Sequence, residues 1–139
     1  MNRFICTLVL LAAACGDNDF ECPLPGELAD DYDAVAVFAR DCDGELEIGE
    51  RSTILYIDPR GGGGDDPACI TIQDEFDRLS CTLSRAYTCD ETVLGVPIDS
   101  VLTVSWFNED EAEYEVRTTP TDGPNRGCTV RQVLDLTRL

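Results

Sequence analysis

Two residue classes in this 139-residue chain are numerous enough to do chemistry: eight cysteines and 28 acidic residues. Histidine is absent, and all ten basic residues are arginine. Without His there is no Ser-His or Cys-His nucleophile and no His-ligated zinc. Without Lys there is no Schiff base and no phosphate-binding P-loop lysine. The run Gly61–Gly64 is followed by Asp65 and Asp66, whose charges oppose a phosphate, so it reads as a flexible loop. A formal net charge of −18 repels nucleic acid and anionic headgroups, so no nucleic-acid partner is expected. It tolerates a cationic or protein partner and divalent ions.

The cysteines divide by position. Arg3 gives a positive start, and Phe4 to Ala14 is an apolar run of about eleven residues, too short for the roughly 20 a spanning helix needs. Cys6 lies inside that run, and Ala12-Ala13-Ala14 meets Cys15. Residues 1–14 therefore read as an export signal. The junction resembles the lipobox of bacterial lipoproteins, with Ala12 where the family usually places Leu, Val or Ile. The resemblance covers residues 1–16 and implies an address: Cys15 diacylated, cleaved and N-acylated with palmitate-type chains. The expected location is the bacterial cell envelope, lipid-anchored to a membrane. Gly16 is not the Asp associated with inner-membrane retention, so the outer membrane is expected. Ala12 and Ala14 also fit ordinary signal cleavage. Six cysteines remain, Cys22, Cys42, Cys69, Cys81, Cys89 and Cys128. An even set in an exported chain reads as three disulfides of undetermined pairing. No C-x-x-C spacing supports zinc.

The elements that must position these residues read mainly as strands. Residues 15–26 form a polar, proline-bearing tether, and 27–139 one disulfide-stapled domain. Asp33–Arg40 alternates, with Val35 and Val37 on one face and Ala34, Ala36 and Phe38 on the other. Asp41-Cys42-Asp43-Gly44 reads as a turn into Glu45–Ile48, a hairpin. Ser52–Asp58, Thr92–Val96, Ser100–Phe107, Glu113–Thr118 and Cys128–Thr137 follow in strand style. Residues 66–86 are ambiguous. Cys69, Ile72, Phe76, Leu79 and Leu83 fall at helical spacing after an Asp66-Pro67 start. The β-branched and hydroxyl residues favour two strands, Ala68–Gln73 and Leu79–Tyr87, which a Cys69–Cys81 bridge would suit. The expected fold is a two-layer antiparallel β-sandwich, immunoglobulin-like or transthyretin-like, with at most one short helix within 66–86. The closing strand Cys128–Thr137, a Cys leading into alternating Val and Leu, resembles the last strand of transthyretin-like domains in some bacterial lipoproteins.

Among the acids, Ala39–Glu50 resembles an EF-hand calcium loop at five positions. Asp41, Asp43, Gly44, Leu46 and Glu50 match, while Ala39 stands where the family places Asp. The resemblance implies Asp41, Asp43 and Glu50 as calcium ligands. A hairpin turn with solvated acids explains the same residues. Asn108–Glu115 is the densest acidic run, and Asp30, Asp31 and Asp33 form a smaller cluster; both read as solvated surface. Trp106 and Phe107 are adjacent, so they point to opposite faces of a strand, with one in the core.

The reading is an envelope-anchored lipoprotein whose β domain is a non-enzymatic binding or structural module, needing no cofactor. One alternative is a calcium-dependent adhesion or interaction module. The other is a small carboxylate-based hydrolase, which would need one acid with a raised pKa in a cleft.

Overall fold

The computed structural model describes residues 20–49, 52–61, 67–91 and 95–139. They form eight strands: β1 Asp30–Asp41, β2 Gly44–Glu45, β3 Ser52–Ile57, β4 Cys69–Asp77, β5 Thr82–Cys89, β6 Ile98–Trp106, β7 Glu111–Pro120 and β8 Val130–Arg138. All pair antiparallel in one sheet of order β2-β1-β8-β7-β6-β5-β4, with β3 also paired to β1. The mainly β, antiparallel class is the expected one, and its walls are parts of one curled sheet.

The curl follows from distance. From β3 to β5 the sheet crosses five strand spacings, about 24 Å if flat. Yet Arg85 on β5 donates to the carbonyl of Asp58, the residue after β3, and Cys81 before β5 is bridged to Cys22, ahead of β1. No Arg side chain reaches across a flat sheet of that width. The inward faces therefore meet around one core of Leu28, Tyr32, Leu83, Val104, Trp106 and Leu136. Each such side chain contributes roughly 1.5–3 kcal/mol by leaving water. At its centre Trp106 Nε1 donates to the Tyr32 hydroxyl at 3.1 Å, and that hydroxyl donates to Leu28 O at 2.8 Å. Phe76 meets Trp106 edge-on, with ring centroids 6.0 Å apart.

Residues 67–86 form two strands, as their β-branched residues favour, and no helix: β4 runs to Asp77 and the turn lies at Arg78–Cys81. The helical spacing was coincidental, since Ile72 and Leu79 are exposed. Three expectations change. Glu45–Ile48 shortens to the two-residue β2, and Gly95–Val96 is a bend rather than the end of a strand; 92–94 lie outside the described residues. In β1 a register shift between Ala36 and Phe38 makes Val37 a bulge. The bulge resets the alternation, so Phe38 leaves the inward face of Ala34 and Ala36 and pairs with Val133 on the outer one.

Candidate functional site

The cysteines come first. Cys22 pairs with Cys81 at a Cα separation of 5.4 Å, Cys42 with Cys128 at 5.5 Å, and Cys69 with Cys89. No cysteine among the described residues is free. Cys81 therefore joins Cys22, and the Cys69 bridge ties register partners on β4 and β5. Cys81 also sits at φ 52, a left-handed conformation costing about 1–2 kcal/mol outside glycine; the bridge helps hold it there. Cys15 and Cys6 lie outside the described residues.

The β1–β2 turn uses the acids expected to hold calcium. Asp41 Oδ1 accepts from the backbone N–H of Asp43 at 2.8 Å and of Gly44 at 3.1 Å, closing an Asx turn. Glu50 lies outside the described residues. Among the described residues no three His, Cys, Asp or Glu side chains are grouped to hold a metal ion. Asn108–Glu115 divides similarly. Asn108 Oδ1 caps Asp110 and Glu111 N–H in the β6–β7 turn. On β7 the residues alternate, with Ala112 buried and Tyr114 packed against the core. Burial of Tyr114 raises its pKa. Trp106 is the core residue of its pair, and Phe107 is half exposed. Asp30 accepts from Arg138 Nε at 2.6 Å, and the same guanidinium donates to Glu27 O at 2.7 Å. The Arg138 hydrogen bond to its carboxylate, with that from the Asp31 N–H, lowers the Asp30 pKa. Asp31 is exposed and Asp33 half-buried on β1.

Two surfaces stand out by shape or charge. One is a groove of about 340 Å³ over the inward faces of β1 and β8, floored by Ala34, Ala36 and Leu134 and flanked by Leu46 and Ile48. Small side chains open it, and the size is within the usual range for ligand sites, roughly 300–1,000 Å³. Its lining holds one carboxylate, Glu47, so it brings no acid pair together.

The other surface is the outward face of β7, β8 and β1. Register places Arg117, Arg131 and Arg40 side by side on successive strands. The adjoining outward row is Glu115, Val133 and Phe38. Glu115 receives Arg117 Nε at 2.6 Å and Arg131 at 2.7 Å. The two guanidinium groups, Arg131 first, hold its carboxyl below the usual range, and Glu115 raises Arg131 in turn. Arg131 also lies 5.2 Å from the Phe38 ring centroid, within cation–π range. The next row is Glu113, Asp135 and Val35. Basic, mixed and acidic bands thus follow one another along one face. Sequence reading missed this face. Alternation shows which residues point outward together within a strand, but the register joining Arg40, Arg117 and Arg131 is a tertiary fact. Comparison with protein-family models, curated proteins and solved structures finds no match.

Proposed function

We propose that this chain is an exported envelope lipoprotein, anchored through acylated Cys15 to the outer membrane, whose β domain is a non-enzymatic binding or structural module. The pairing of all six described cysteines carries the reading. Such bridges persist in oxidising compartments, where exported chains reside. The apolar run from Phe4 to Ala14 and the small residues before Cys15 supply the route and the anchor. Two or more acyl chains hold a protein stably on a leaflet, which one does not. The module reading rests on the open groove at Ala36 and Leu134 and on the banded outer face.

Intact mass of membrane-extracted protein tests it, with and without reductant. The expected species starts at Cys15, carries the mass of its acyl chains, and gains two hydrogens per bridge on reduction. A Cys15→Ser variant should leave the membrane fraction. Full-length, unacylated protein with free thiols in the cytosol would overturn the reading.

A further inference from the structure

We propose that the outward face of β7–β8–β1 pairs with the same face of a second copy of this chain in a two-fold dimer. This goes beyond the module reading and does not depend on the lipid anchor. The argument is self-complementarity. A two-fold contact requires that residue i meet j wherever j meets i. For two sheets face to face, the axis lies in the interface. Run that axis across the strands along the row Glu115, Val133 and Phe38. Each strand then lies over its own copy, reversed. Outward rows are about 6.8 Å apart, so the row on one side of the axis falls on the partner's row from the other side. Arg117 meets Glu113 of the second copy, and Arg131 meets its Asp135. Arg40, which faces Glu45 across the β1–β2 pair, comes over Val35.

The charges match. Arg117 and Arg131 share one internal counterion, Glu115, which leaves a net positive band over the two opposing acids. Arg117 and Arg131 keep 56% and 41% of their side-chain surface in solvent, so they are available. Between the bands, on the axis, lie the half-buried ring of Phe38 beside the exposed bulge residue Val37, then Val133, and then Glu115, whose charge Arg117 and Arg131 cover. That row puts apolar groups at the β1 side of an otherwise charged contact. The β1 bulge creates part of it by turning Phe38 outward. Because β3 curls round to meet β5, only β7, β8 and β1 share this outward face, about 14 by 30 Å or roughly 400 Å². A standard interface takes about 800 Å² per partner, so the dimer is weak and forms only at high concentration. The overall charge of −18 opposes association at long range, but at physiological salt it is screened beyond about 8 Å.

Sedimentation equilibrium of the full chain in detergent, carried to several hundred micromolar, tests the pairing. The expected result is reversible dimerisation that weakens at least about tenfold in Arg117→Glu/Arg131→Glu, and equally in Glu113→Arg/Asp135→Arg, because each puts like charges together. Mixing the two variants should restore a heterodimer, since each then supplies the sign the other lacks. Near-ultraviolet circular dichroism shows whether each variant keeps its fold, and the wild-type measurement stands alone if one does not. A wild-type monomer throughout would overturn the proposal. So would folded variants that dimerise as well as wild type, or a mixture that stays monomeric.

Discussion

The two ends of the curled sheet are held by different means. At the end where the chain enters, beside Cys22, the closures are varied, and two of the three are buried. The Cys22–Cys81 bridge, the Trp106–Tyr32–Leu28 hydrogen-bond chain and the Arg138 clasp on Asp30 and Glu27 all lie there. The two cysteines belong to the main core cluster. At the opposite end two bridges do the work. Cys42–Cys128 ties the β1–β2 turn to the stretch before β8, and Cys69–Cys89 ties the start of β4 to the end of β5. Buried Ile98 and Cys89 there stand apart from the main cluster. Packing and cross-linking are thus shared unequally. One end has a core that would collapse without its aromatic centre; the other has loops that would fray without covalent ties.

The largest test of that contrast is Trp106→Ala. It removes the ring that Phe76 abuts and leaves the Tyr32 hydroxyl without its Nε1 donor. The expected loss is about 3–5 kcal/mol for the cavity, read from guanidinium chloride unfolding of the oxidised protein. A loss under 1 kcal/mol would place the core elsewhere. Next is the far end. Cys42→Ala/Cys128→Ala opens a loop of 86 residues' separation, and chain entropy puts the cost at about 4 kcal/mol, with measured values often smaller. The sharper readout is hydrogen exchange. Amides at Cys42–Glu45 and Asp122–Thr129 should gain exchange far more than Tyr32, Val104 or Leu136. Uniform acceleration through the sheet would abolish the distinction between the ends.

A smaller effect comes from acid. Asp58, which follows β3 at the chain-entry side, is held at about 2 against an ordinary 3.8, first by the Arg60 side-chain hydrogen bond and then by the Arg60 N–H. Arg138 lowers Asp30, and Arg131 with Arg117 lowers Glu115. A depressed carboxyl stabilises the fold above its unfolded pKa and loses that contribution as pH falls through its folded value. Stability should therefore hold from neutral pH to about pH 4 and fall from there toward about pH 2. Asp58→Asn should blunt that fall. A fall beginning above pH 5 would assign the acid response to other groups.

How much of this was legible in the sequence depends on range. The β class was readable because Asp33–Arg40, Ser52–Asp58 and Ser100–Phe107 alternate or are β-branched over whole strands, and a pleated, half-buried surface selects that pattern. The bulge at Val37 was not readable, since one extra residue looks like continued alternation until the partner strand is known. The helix-like spacing from Cys69 to Leu83 had the same weakness: Ile72 is a second bulge position, between Thr71 and Gln73. The cysteine pairing and the arginine row are facts about which strands become neighbours. Neither propensity nor local charge encodes them. Arg85 shows the limit most plainly. A buried arginine paired to Asp74 at 2.8 Å closes the curl, yet nothing local in SRAYT names the distant Asp58 carbonyl it reaches.

The smallest effect is the one that separates the module reading from the adhesion reading. An ion held by Asp41, Asp43 and Glu50 would stabilise the folded state by mass action, and at one hundred times its Kd the gain is about 2.7 kcal/mol. For a domain of this size that is several degrees in Tm. The Asp41 carboxylate, however, already caps Asp43 and Gly44 N–H, and the turn is braced by the Cys42–Cys128 bridge. Pulling Asp41 toward a cation forfeits both hydrogen bonds in a loop with little freedom to rearrange. Millimolar calcium should therefore shift Tm no more than magnesium at equal ionic strength, and Asp43→Asn should leave both curves unchanged. A calcium-specific rise of several degrees, lost in Asp43→Asn, would make the far end an ion-dependent element whose bridges only prepare it.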